Sequence, residues 1–212
     1  MQKVSPPSNA AAAARGRGRP RAFDREAALG QAMQLFWRRG FARPSLDELA
    51  AAAGVNRPNL AAAFGDKRGL YLATLERFKA QFTYEAGHAL NEPASLQFSL
   101  DRFFDFAVSV YAGNGLGCFL FGTAPAASGD DPEIQAALAG GLEAIRLALR
   151  QRVSEAVGRE LTADADAEGL AISLTGVLLT LALYARAGLS SVDLHKMHRQ
   201  ASGAILTGSL SK

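Results

Sequence analysis

Between Asp24 and Asp66 the chain carries four helix starts, and their spacing leaves room for very few folds. Asp24 offers a capping oxygen ahead of a run in which Leu29, Met33, Phe36 and Trp37 share one helical face, and Gly40 closes that run. Ser45 and Glu48 have the spacing of a capping box, the serine bonding forward and the glutamate bonding back. Leu46, Leu49 and Ala50 then form the inner face of a short helix that Gly54 breaks. Asn56 caps a third helix with Pro58 in its first turn, about two turns long and ending near Phe64 and Gly65. Two short helices joined through Ala53-Gly54-Val55 make a helix-turn-helix. The glycine permits the sharp turn and the valine fills the angle between the helices. The second helix is then free to offer its N-terminal Asn56, Arg57 and Asn59 to base edges in a major groove. The helix starts at Ser45 and Asn56 add backbone N–H groups for phosphates.

Helical signals continue to the end. Asp66 caps a long helix through Leu70, Leu75, Phe78 and Phe82 to about His88, and Asn91-Glu92-Pro93 interrupts it. Further helices are expected over about 94–111, 117–126, 132–157, 164–187 and 192–207. No stretch shows sustained strand alternation, so the chain is expected to be all-α with about nine helices. Charge divides it in two. Residues 1–79 hold 14 basic and 6 acidic side chains, residues 80–212 hold 9 and 14, so only the first part suits a polyanion. A single cysteine, Cys118, excludes an internal disulfide framework. No secretory signal is read at the N-terminus, and the longest apolar stretch, 170–185, is sixteen residues against the ~20 that span a bilayer. A cytoplasmic protein without membrane partners is expected.

Residues 21–82 resemble the tetracycline-repressor (TetR) family of bacterial regulators. The resemblance rests on "AMQLFWRRGF" (32–41), "SLDELAAAAGVNRPNL" (45–60) and "FGDKRGLY" (64–71). It implies a DNA-binding domain over 22–82 and a ligand-binding and dimerisation domain over 83–212 whose six helices form a homodimer with one pocket per subunit. It further implies a transcriptional repressor released from a palindromic double-stranded operator by a small-molecule inducer, and located at the nucleoid when bound. By the same resemblance Ser45 holds a phosphate, Asn56, Arg57, Pro58 and Asn59 form the reading edge of the recognition helix, and Lys67 contacts phosphate. Ala61 departs from the pattern, since the family commonly has there a tyrosine that presses on the DNA backbone.

Residues 1–21 form a separate basic arm, expected to be disordered when free. In "RGRGRPRAF" (15–23) Arg15, Arg17, Arg19 and Arg21 alternate with glycine and proline, which suit neither helix nor strand. The core of that run resembles an AT-hook, and a narrow A·T-rich minor groove attracts inserted arginine. An arm that dominated binding would make the chain an architectural, weakly sequence-specific DNA-binding protein instead.

Phenylalanines concentrate between 64 and 121, and the family resemblance implies a cavity among the fourth to seventh helices. Phe78, Phe82, Phe103, Phe104, Phe106, Phe119 and Phe121 are candidate lining residues for an apolar or aromatic inducer. Cys118, at a helix start, is either a buried inert thiol or an oxidant or electrophile sensor. Gly169, Ser173, Gly176 and Thr180 recur at helical spacing and would let a partner helix approach closely, while Leu194, Met197, Ala201 and Ile205 share a face of the last helix. The resemblance implies that these two helices pair across the dimer axis. His195 and His198 lack a third ligand nearby in sequence, so no metal or other cofactor is expected. With no phosphate-cradling glycine loop and no nucleophile–base pair, no catalytic residue is assigned.

Overall fold

The computed structural model describes residues 24–129 and 131–210. The arm, with Arg15, Arg17, Arg19 and Arg21, lies outside the described residues. Nine α-helices and no named strand occur among the described residues: α1 (Arg25–Arg39), α2 (Leu46–Ala52), α3 (Arg57–Phe64), α4 (Lys67–Asn91), α5 (Leu96–Gly113), α6 (Phe119–Thr123), α7 (Pro132–Ala156), α8 (Ala167–Arg186) and α9 (Ser191–Thr207).

The helix starts follow local chemistry. Asp24, Ser45, Asn56, Asp66, Ser95, Asp131, Asp166 and Ser190 each place a side-chain oxygen on a first-turn amide. The glycines at the two sharp turns, Gly54 (φ 68°) and Gly65 (φ 78°), adopt the left-handed conformation that other residues resist. The expected helix at 117–126 is shorter than the sequence suggests. It keeps only α6, because Gly117 is left-handed on one side and Pro125 has no N–H to extend the helix on the other.

Helices α1 and α3 pack on α4 and α2 packs on both α1 and α3, with Phe36, Trp37, Leu49, Leu60, Leu70 and Tyr71 buried among them. The second half of α4 packs on α5 and α7, so the domain boundary placed at residue 82 falls inside one continuous helix. An aromatic cluster closes the seam between the halves. Trp37 meets Phe78 edge-on at 5.4 Å and Phe119 at 5.5 Å, and Phe36 meets Tyr71 at 5.0 Å. Polar contacts cross the same seam. The Tyr71 and Thr123 hydroxyls lie 2.7 Å apart, and Arg68 grips Asp131 through two parallel bonds of 2.5 and 2.8 Å.

In the C-terminal half, α8 packs on α7, α9 and α5. By length and composition it is apolar enough to cross a membrane, with a mean hydropathy of 1.6 over its most apolar stretch. One side is buried through Ala171, Leu174, Leu178 and Leu181, whereas Ile172, Leu179, Leu183 and Tyr184 are exposed.

Candidate nucleic-acid interface

The reading edge of α3 is built by a cap and one anchor. Asn56 Oδ1 accepts the Asn59 N–H at 2.8 Å, which fixes the first turn. Leu60 is the one fully buried residue of α3, Phe64 packs half-buried against the core, and Arg57, Pro58 and Asn59 face outward. The helix can approach α4 closely only because residue 69 is glycine. A Cβ there would sit 2.3 Å from the Phe64 carbonyl oxygen.

Four of the residues expected to touch DNA are already engaged inside the protein. Asn56 spends its side-chain oxygen on the cap, leaving its amide NH2 as the outward group. Arg57 donates to both carboxylate oxygens of Asp47, at 3.2 and 3.4 Å, with both side chains largely in water. The Ser45 amide and hydroxyl both donate to Glu48 Oε2, at 2.8 and 3.0 Å, and Arg39 donates to Glu48 Oε1 at 2.8 Å. These bonds hold the Glu48 carboxyl below its usual range, the Ser45 backbone amide contributing most. The first-turn amides of Leu46 and Asp47, which have no intrahelical acceptor, are the donors that α2 still offers to a phosphate. Lys67 donates to the Ala42 carbonyl at 2.7 Å and lies 4.9 Å over the Phe41 ring. Partial burial lowers its pKa against the opposing pull of Glu48. Its ammonium thus braces the α1–α2 turn. Nothing in the sequence marks Asp47 and Arg39 as parts of this surface, because their partners Arg57 and Glu48 lie ten and nine residues away across a turn.

The expected ligand residues separate into two groups. Phe78, Phe82, Cys118 and Phe121 line a common apolar cavity with Tyr111 and Ile145, but its volume is only about 10 Å³, hardly room for one water. Phe103, Phe104 and Phe119 do not line it. Phe104 stacks on His198 at 5.5 Å and meets Phe103 edge-on, whereas Phe119 belongs to the seam. Phe106 touches Phe82 at 5.1 Å and otherwise lines a separate open groove with Tyr84, His88 and Asp105. Cys118 is buried, and desolvation pushes its thiol up to about 11, which leaves very little thiolate at neutral pH.

The small-residue strip of α8 is open: Ser173, Gly176 and Thr180 are exposed, Gly169 is half-buried, and a Cβ on Gly176 would meet nothing within 4 Å. The expected face of α9 is corrected. Leu194 is fully buried on the inward row with His198, Ser202 and Leu206, so it cannot reach a partner. Met197, Ala201 and Ile205 sit half-buried at the edge of that row.

Comparison with known proteins agrees with this geometry. Residues 28–74 match the family described as bacterial regulatory proteins, tetR family, and residues 98–201 match the tetracyclin repressor-like C-terminal domain. Over 181 residues the chain is 32% identical to the HTH-type transcriptional repressor ComR of Escherichia coli (strain K12), covering 83% of this chain and 86% of that one. The HTH-type transcriptional repressor BdcR of the same organism is 43% identical over 61 residues, 29% of this chain and 31% of its own. Among solved structures, a cysteine-substituted form of the TetR family transcriptional regulator CifR, complexed with 26-base-pair operator DNA, is similar at a TM-score of 0.80. Identity there is 29%, over 88% of this chain and 99% of the other.

Proposed function

The chain belongs to the TetR family of bacterial regulatory proteins, DNA-binding regulators rather than enzymes, and on that premise we propose that it represses transcription as a homodimer on a palindromic operator. The observation that carries this reading is α3 itself: Leu60 anchors it, while Arg57, Pro58 and Asn59 point outward from a capped N-terminus. The exposed apolar side of α8 supports the dimer. Ile172, Leu179, Leu183 and Tyr184 would each be withdrawn from water against a second copy, across a strip of small residues that admits close approach. The arm with Arg15, Arg17, Arg19 and Arg21, which precedes α1 in sequence, would add positive charge for phosphates and an A·T-rich minor groove. The protein acts in the cytoplasm.

Release from the operator is assigned to an apolar small molecule that opens the cavity beside Phe78, Phe82 and Phe121. Such a ligand acts only through different affinities for the two dimer conformations. The Arg68–Asp131 and Tyr71–Thr123 contacts, which join α4 to the α6–α7 side of the cavity, are the route by which it would bias α4. The test combines a footprint on DNA flanking the gene with sedimentation. A symmetric protected palindrome and a dimer at micromolar concentration are expected. A monomer, or protection without sequence preference, would overturn the reading. Gly176→Leu separates fold from assembly, since a single chain has open space there: dimerisation should weaken while the folded chain stays as stable or gains helix propensity.

A further inference from the structure

Asp105 on α5 meets His195 and His198 on α9, in a cluster that the operator-reading surface and the apolar cavity do not use. One carboxylate oxygen, Asp105 Oδ1, lies 2.6 Å from His195 Nδ1 and 2.9 Å from His198 Nε2. The three donor atoms all lie within 4.8 Å of one another. Two imidazoles one helical turn apart therefore converge on one point, and the carboxylate comes from ninety residues earlier in the chain. Arg199 stands 3.5 Å from the other oxygen, Oδ2, which leaves Oδ1 turned toward the rings.

We propose that Asp105, His195 and His198 form a binding site for a divalent transition-metal ion of the zinc class. Two imidazole nitrogens with one carboxylate oxygen are a donor set for Zn²⁺ and its imidazole-favouring neighbours, and a poor one for Mg²⁺ or Ca²⁺, which require oxygen cages. Three protein ligands leave a fourth position for water or a small ligand. Zinc bonds of about 2.0–2.1 Å place tetrahedral donors roughly 3.3–3.5 Å apart, so the present hydrogen-bonded atoms need to open by less than about 1 Å. Asp105 and His195 are each about one-third exposed, which gives an ion and its water a path in.

The other nitrogen of the His198 ring makes no competing bond. His198 is fully buried, and its Nδ1 has no hydrogen-bond partner, nor does the buried Ser202 Oγ one turn further along the same face. While Nε2–H donates to Asp105, Nδ1 is a buried lone pair with no donor. Coordination through Nε2 moves the ring proton to Nδ1. The site would tie α5 to α9.

The experiment uses full-length, tag-free, metal-stripped protein titrated with Co²⁺, then with Zn²⁺ against a chromophoric chelator. One equivalent per chain is expected, with visible ligand-field bands of a low-coordinate cobalt site. His195→Ala and Asp105→Asn, both at partly exposed positions where folding can be verified by circular dichroism, should each weaken Zn²⁺ binding by more than about 100-fold. Cys118→Ser should leave it unchanged, because the buried thiol is no ligand. Absence of binding at micromolar Zn²⁺ would overturn the proposal, as would binding that survives both His195→Ala and Asp105→Asn. Neither outcome depends on whether the protein reads an operator.

Discussion

Helices α3 and α8 both present a face to water, and the two faces have opposite chemistry. The face of α3 is polar and partly self-engaged: Arg57 rests on Asp47, and Asn56 caps its own helix. Its partner must compete for those groups, and a phosphate or a base edge can do so because charge-assisted hydrogen bonds are the stronger ones. The face of α8 offers nothing to exchange. Leu183 is 69% exposed and Ile172 55%, with no polar atom of their own to satisfy, so only removal from water stabilises them. An exposed face thus states its partner's class through what it leaves unsatisfied. One face waits for a polyanion, the other for apolar surface of similar shape.

The comparison breaks first at α8. Leu183→Glu places a charge where the folded single chain has only solvent, so the monomer should keep its helicity by circular dichroism. Operator affinity should fall ~10²–10⁴-fold, the effective-concentration advantage of two linked half-sites. An unchanged dimer by sedimentation would show that this face meets nothing. At α3, Arg57→Ala or Asn59→Ala should cost about 1–3 kcal/mol on the operator and little on random DNA, measured by fluorescence anisotropy. Deleting residues 1–21 should weaken both kinds of DNA together and flatten the log-affinity against log-salt slope by roughly one unit for each phosphate that the arm neutralises. Ala61→Tyr restores a backbone-pressing ring and should tighten both DNAs by a smaller, few-fold margin.

The smallest effect concerns the seam between the two regions. The Arg68 guanidinium holds the Asp131 carboxyl down to about 2. A carboxyl depressed on folding contributes stability above its unfolded value of about 3.9, and loses it as pH falls toward 2. Asp131→Asn should therefore lower the melting temperature by a constant amount above about pH 5, with the difference from the parent vanishing between pH 4 and 2. A difference that persisted at pH 2 would assign the effect to the helix cap rather than to the ion pair.

Most of the fold was legible because its punctuation is local. Asp24, Ser45 with Glu48, Asn56 and Asp66 cap helices through contacts three residues away, and such contacts are written in sequence order. The site was less legible wherever a side chain finds its partner across space. Lys67 bonds to Ala42, Arg57 to Asp47, and the two histidines to Asp105, and no periodicity announces these pairings. Leu194 fits an outward stripe of α9 by spacing, yet α9 turns the row containing His198 and Leu206 inward and carries Leu194 with it. The aromatic cluster was visible as composition only. Which rings line the cavity and which close the seam depends on the crossings of α1, α4 and α6.

The unbroken course of α4 has a mechanical consequence. Its 25 residues make a rod of about 37 Å, with the close Gly69–Phe64 contact at its N-terminal end and the cavity wall, Phe78 and Phe82, about midway along it. A rod of that length tilting by only about 6° about its far end displaces the near end by ~4 Å. Two recognition helices must sit one turn of DNA apart, about 34 Å, to enter successive major grooves. In the proposed dimer, a slight tilt in each subunit, in opposite senses, would change their separation by ~8 Å and take the pair out of step with the double helix.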